Sequence, residues 1–215
     1  AATPPGDILV LDTNSRLDPP EVARRKVIAA TRALQASGCR RFFNKTCSVF
    51  RGNIGVEFDA MLDALGLHFA VVVLGFPRNG RTTVDGIHYV RGVPLAGSEF
   101  RNDPVHPMTR SDLVGILQSQ TSRVVTLVDH RIIARGPLAL RQAIDACRGS
   151  ASYVILDVPD QTALRTIASA VAGEPVLCGS SALAEELPAE WGLRSEPAPP
   201  PRLPADRGLG VLVAA

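Results

Sequence analysis

A chain of 215 residues with 46% hydrophobic side chains is long enough for one sizeable α/β core plus a tail, and too apolar to be disordered. Its 23 Lys and Arg against 21 Asp and Glu leave a net charge of +2, without the basic excess of a dedicated nucleic-acid binder. No apolar run reaches membrane-spanning length, and the cysteines (Cys39, Cys47, Cys147 and Cys178) include no CxxC pair, which argues against a membrane span and a zinc site and for a reduced, cytoplasmic protein.

Ile8–Asp12 (ILVLD) is a short apolar run ending in an acid and predicts a buried strand. Pro19 and Pro20 open a helix that runs through Ala36 and stops at Gly38, and Arg41–Lys45 predicts a second strand. Ile54, Phe58, Met61, Leu62 and Leu65 fall at helical spacing within Asn53–Leu65, capped by Gly66, and Phe69–Leu74 is a third buried strand. This alternation predicts an open, mainly parallel sheet with helices on both faces, a Rossmann-like or flavodoxin-like three-layer α/β fold. The Gly/Pro-rich middle, Phe76–Met108, is an irregular insertion whose runs His88–Val90 and Val93–Leu95 form a hairpin or flap. Helix Ser111–Gln118, strand Val124–Val128, helix Pro137–Cys147, strand Tyr153–Asp157, helix Gln161–Val171, strand Pro175–Cys178 and helix Ser181–Leu187 then resume the alternation. Five prolines make Glu196–Arg207 a stiff, extended linker, followed by the apolar run Gly208–Ala215. The expected division is a domain over 1–193, a linker over 194–208 and the start of a further domain over 209–215.

Ligands of open α/β sheets bind at the carboxyl ends of the strands. Three successive predicted strands end there in loops holding cations: Asp12–Arg16, Lys45–Asn53 and Phe76–Thr82. Arg16, Lys45, Arg51 and Arg81 would then converge on one rim, with Ser15, Ser48, Asn53 and Thr82 beside them. Forked cationic donors among hydroxyls suit a carboxylate that carries several hydroxyls. Gly52 and Gly80 admit close backbone approach, and the helix opening near Asn53 directs its dipole at the same rim.

Other residues carry weaker signals. Asp103 and His106 lie in the rigid loop Asn102–Met108, a candidate lid. His130 follows Asp129 at a strand end without an identified partner, and Asp157 ends another strand as a proton acceptor or a cap. Cys47 sits beside Lys45, where a cation lowers a thiol pKa, but no His/Asn or His/Asp pattern accompanies it. Gly179-Ser180-Ser181 fits a phosphate cradle or, slightly better, a helix N-cap. Neither a P-loop nor a strand–GxGxxG–helix unit is present in the sequence.

FNKTCSVFRGNIGVEFDAMLDALG (Phe43–Gly66) resembles a signature of the four-carbon acid sugar kinase family. FPRNGRTTVDGIHYVRGVPL (Phe76–Leu95), the loop NDPVHPM and the early DTNSR resemble further blocks of that family, in the same order, over about Asp7 to Leu187. The resemblance implies that the N-terminal domain of a two-domain enzyme holds threonate, erythronate or a keto-tetronate. The C-terminal domain would bind ATP and Mg2+, and phosphate would pass to a sugar hydroxyl between them. It implies substrate contacts at Arg16, Lys45, Ser48, Arg51, Asn53 and Arg81, with no cofactor expected in this segment and no nucleic-acid or membrane partner.

Two departures from the family stand out. The acidic ADDLTGA-like loop after the usual first strand is not in this sequence, which leaves the catalytic residues unassigned. Many members have Asp-Ser-Thr where this chain has Cys47-Ser48-Val49. The loss of a first strand would expose an apolar sheet edge, through which homo-oligomers would form. The segment alone is expected to be inactive. The alternatives are a stand-alone acid-sugar-binding or regulatory module, and an unrelated hydrolase or isomerase using Cys47.

Overall fold

The computed structural model describes residues 8–193. Helix α1 (Pro20–Ala36) starts on a proline at its first turn and buries Ala23, Val27 and Thr31, spaced four residues apart on one face. Strand β1 (Phe42–Lys45) leads to α2 (Ile54–Leu65), which ends where Gly66 turns left-handed at φ 66°. Strand β2 (Ala70–Val73) is buried along its whole length, as both-face coverage demands. An antiparallel hairpin follows, β3 (Arg81–Val84) and β4 (Ile87–Val90), with the short β5 (Val93–Pro94) beside it. Then come α3 (Leu113–Gln118), β6 (Val125–Val128), the single turn α4 (His130–Ile133) and α5 (Pro137–Cys147). Strand β7 (Tyr153–Leu156), α6 (Gln161–Val171), β8 (Val176–Gly179) and α7 (Ser181–Glu190) complete the described chain.

The five long-core strands form one parallel sheet in the order β1-β8-β2-β7-β6, and β3-β4-β5 form a separate antiparallel sheet. Alternate side chains of the parallel strands feed two cores. Val72, Tyr153, Ile155, Val176 and Cys178 pack with Phe58 and Leu62 of α2 on one face. Val71, Val73, Val154, Leu156 and Leu177 pack with Leu140, Leu164, Ile167 and Leu183 on the other. The fold is thus the expected α/β three-layer arrangement.

Three expectations change. Ile8–Asp12 forms no strand: no ladder partner lies beside it among the described residues, and Ile8, Val10 and Leu11 remain at least half exposed. The middle insertion is more regular than its composition suggests. Asp85 and Gly86 both adopt positive φ (50° and 75°), the geometry of a two-residue turn that follows the strand twist, so Arg81 begins a strand instead of lying in a loop. The linker and the element after it, residues 194–215, lie outside the described residues.

Gly179 closes the sheet. Its φ is 149°, and a Cβ there would collide with the Val73 carbonyl of the neighbouring strand. Gly179→Ala is therefore expected to lose about 2–4 kcal/mol of stability in urea unfolding. Gly173→Ala, where a Cβ meets nothing within 4 Å, should change it little and serves as the control.

Candidate functional site

The carboxyl ends of the parallel strands face the antiparallel sheet, and Asp157 joins the two. Its side chain is fully buried at the end of β7. Oδ1 accepts the Gly86 N–H (2.9 Å), and Oδ2 accepts the N–H groups of Asp85 (2.7 Å) and His130 (3.0 Å). Thr83 and Val158 exchange backbone hydrogen bonds next to it, so the β3–β4 hairpin is held over the rim. His130 does have a partner: its Nδ1 lies 3.4 Å from Asp157. Asp85, His130 and Asp157 supply donor types that suit a metal. However, Asp157 already accepts backbone donors on both oxygens and Asp85 is paired to Arg131 at 3.0 Å, so the trio reads as a fastening.

The docked hairpin brings Arg81 to the loop between β1 and α2. The Arg51 and Arg81 guanidinium carbons lie 5.1 and 5.8 Å from the centroid of the same ring, Phe100. A carboxylate answers the first of them: Asp103 Oδ2 accepts from Arg51 Nη1 at 2.6 Å. Asp103 Oδ1 accepts the N–H groups of Val105 and His106, at 3.1 and 2.8 Å. The His106 amide, then Arg51, hold the Asp103 carboxyl down to about 2. Arg81 donates to the Asn79 carbonyl and keeps its Nε buried without a partner. Arg51 Nε also points at Cys47 Sγ, 3.5 Å away.

The other sequence-predicted residues sit around this pair. Asn53 donates its amide to the carbonyls of Ser15 (2.9 Å) and Asp18 (2.8 Å), clamping the first loop to the second. Arg16 is exposed, and its Cγ would lie 2.7 Å from a Cβ on Gly52, so it abuts the Arg51 loop. Lys45 is exposed at the end of β1 in register with Gly179; it shares the rim without a contact to the arginine pair. Ser48 is half-buried and its backbone lies against the imidazole of His88. His106 is partly buried with Nε2 unpartnered, lining a cavity of about 310 Å³ with Phe50, Gly52 and Gln120. At the α7 start, Ser180 Oγ accepts the Ala182 N–H and donates to Gly75 O, so this turn is a helix cap.

Three residues escaped sequence reasoning. Phe100, the shared platform, gives no motif. Glu57 is buried in the first turn of α2, accepts Ser15 Oγ at 2.7 Å, and is pushed up by burial against the pull of Ser15 and Arg16. His88 is fully buried on β4, with Nδ1 3.0 Å from Thr83 Oγ1 and Nε2 unpartnered. Its place in the alternation Ile87-His88-Tyr89-Val90, inward with Val90, was the available signal.

Residues 2–187 match the model of the sugar-binding N-terminal domain family. The chain belongs to that family. Among curated relatives, it is 38% identical over 208 residues to the 3-oxo-tetronate kinase of Burkholderia multivorans, covering 92% of this chain and 49% of that protein. It is 33% identical over 190 residues to the 3-oxo-tetronate kinase of Escherichia coli K12, covering 86% and 49%. A Haemophilus influenzae protein superposes with a TM-score of 0.79 at 30% identity, covering 83% of this chain and 45% of that one. A Bordetella bronchiseptica domain of unknown function, crystallised as a domain-swapped dimer with bound citrate, gives 0.71 at 28% identity, covering 82% and 43%. The sugar-binding domain thus spans about half the length of the curated relatives it matches.

Burial pulls the His88 imidazole down to about 4, with the Arg81 charge adding to burial against the Ser48 backbone. An unfolded imidazole titrates near 6.5, so between these values the unfolded chain binds more protons than the native one. His88 should therefore contribute stability above pH 6.5 that is lost as pH falls toward 4, on the order of 3 kcal/mol. Urea unfolding across that range, compared between the wild-type chain and His88→Gln, should show the acid-side slope flattened in the variant.

Proposed function

We propose that this domain is the substrate-binding half of an ATP-dependent kinase that phosphorylates a four-carbon acid sugar, of which 3-oxo-tetronate is the leading member. The observation that carries the reading is that Arg51 and Arg81 both lie against Phe100, that of the two only Arg51 is paired to a carboxylate among the described residues, and that a buried Arg81 Nε is left over. Two forked cations with one internal anion leave a charge that a ligand carboxylate completes. In this reading Arg16 and Ser48, on the adjoining loops, and Lys45, at the end of β1, supply further donors for hydroxyl and keto oxygens. The curated relatives are named 3-oxo-tetronate kinases, and the Bordetella neighbour holds citrate, another hydroxylated carboxylate.

In this reading the domain binds and orients the acid, and the cations hold the carboxylate end still while a hydroxyl is presented to the phosphoryl donor. The Gly179–Ser181 turn is committed to capping α7, so ATP and its Mg2+ fall to the part of the relatives beyond this chain. Residues 1–193 are then the acid-sugar domain, 194–208 the linker and 209–215 the start of the nucleotide domain. The exposed Ile8, Val10 and Leu11 beside the end of α1, and the open edge of β1, suit self-association of the kind the Bordetella neighbour's swapped dimer illustrates. Four free thiols suit a reducing cytoplasm.

Titration calorimetry with 3-oxo-tetronate, threonate and erythronate tests the reading. At least one should bind, and Arg51→Ala or Arg81→Ala should each weaken it about tenfold or more. Arg141→Ala, on the outside of α5, should bind as the wild type does. Absence of heat with all three acids, on protein shown to be folded, would overturn it.

A further inference from the structure

We propose that His88 is a positioning residue of the anion site: its buried Nε2 donates to the Ser48 carbonyl and so sets the Arg51 loop against the hairpin that carries Arg81. Thr83 and His88 are register partners across β3 and β4, as are Arg81 and Val90, so all four side chains share one face of the hairpin. The backbone is fixed at this point on both strands. Thr83 and Val158 exchange hydrogen bonds, and the His88 N–H donates to the Ser111 carbonyl at 2.8 Å. The imidazole is therefore a rigid point, and it is fully buried.

The tautomer follows from the hydrogen bonds. Nδ1 lies 3.0 Å from Thr83 Oγ1, and that buried hydroxyl has no other partner among the described residues. Its hydrogen goes to Nδ1, since in the opposite arrangement it would point at nothing. Burial and the neighbouring Arg81 charge keep the ring neutral. A neutral ring carries one N–H, which is then on Nε2. That donor meets no acceptor within bonding geometry and turns to the Ser48 backbone. Ser48 favours the protonated ring, as a carbonyl does and an amide N–H would not. The Ser48 carbonyl takes no backbone donor among the described residues. The contact is thus loose, and it shortens as the loop draws in on an acid.

Ser48 leads directly to Arg51. The Phe50 N–H donates to the Cys47 carbonyl at 3.0 Å, Phe50 turns left-handed at φ 58°, and Val49 and Phe50 are buried. In so tight a turn a shift at Ser48 carries Arg51 with it, and Arg51 shares Phe100 with Arg81. A tie between hairpin and turn therefore sets the separation of the two guanidinium groups, which a bridging carboxylate has to match. The contact stands on geometry alone; its effect on binding rests on the sugar-acid reading above.

Three substitutions separate positioning from packing. The amide nitrogen of His88→Gln falls near the place of Nε2, that of His88→Asn reaches only the place of Nδ1, and His88→Leu has none. In calorimetry with 3-oxo-tetronate, threonate and erythronate, Asn and Leu should weaken binding about tenfold, and Gln should restore it to within about threefold. Without any acid, hydrogen exchange of the peptide over Cys47–Arg51 should be faster in the Asn and Leu variants than in Gln and the wild type. Nitrogen-15 NMR of imidazole-labelled protein, with the His88 signals assigned by their loss in His88→Gln, should show Nε2 protonated and Nδ1 bare at pH 7. A proton on Nδ1, or Asn and Leu variants that match Gln in exchange and affinity, would overturn the positioning role. So would an affinity that follows urea stability alone across the three variants. A wild-type chain that binds none of the acids, yet keeps the expected tautomer and exchange pattern, would overturn the sugar-acid reading and leave the tie standing.

Discussion

A carboxylate buried at the end of a parallel strand must find donors or remain protonated, and Asp157 finds them in the backbone of other segments. Two of its three amide donors come from the turn of the β3–β4 hairpin and the third from the start of α4. That one group therefore fixes where an antiparallel sheet sits over the rim of a parallel one. Without this fastening, nothing in the parallel sheet dictates that Arg81 should meet Arg51. The Thr83–Val158 backbone exchange sets the register of the docking, and Asp157 sets its height.

Once the hairpin is docked, two like charges share one aromatic platform. Each guanidinium is met by something electron-rich: the Phe100 ring for both, and Asp103 and Cys47 for Arg51. Among the described residues Arg81 has only a carbonyl besides the ring. This asymmetry is what the proposed anion site rests on, since in an internal salt bridge cations and carboxylates would balance. The other end of the rim is built for rigidity: Asn53 and Glu57 tie Ser15 and its neighbours to α2 and carry no unbalanced charge toward solvent.

Much of the layer arrangement was legible in the sequence because buried parallel strands read as short apolar runs and helices announce their ends. Pro137–Cys147 and Gln161–Val171 match the structure at both ends, helped by the proline at the first turn of one and Asp160 capping the other. Ile8–Asp12 shows the limit of that signal: apolar character marks a segment that needs covering, while a strand also needs a neighbour offering hydrogen bonds. The hairpin expected at His88–Val90 and Val93–Leu95 forms as β4 and β5, whereas the strand Arg81–Val84 is hidden by the surrounding Gly and Pro content despite Asp85-Gly86, a strong turn signal. Of the four cations that position after strands singles out, Arg51 and Arg81 meet at Phe100, while Arg16 and Lys45 remain exposed. Phe100, Glu57 and His88 were missed because what matters about each is a contact between segments far apart in the chain.

Asp103 has a consequence for selectivity. The Arg51 guanidinium already holds an aspartate whose other oxygen pins the turn at Val105 and His106. On the proposed reading, a guest carboxylate that reaches this guanidinium would compete with an aspartate of the same charge already bound to it. Discrimination among acids of equal charge then falls to whatever else the guest offers, chiefly its array of oxygens. Releasing Asp103 would also slacken the turn above it, so guest occupancy and loop freedom are linked through a single shared side chain.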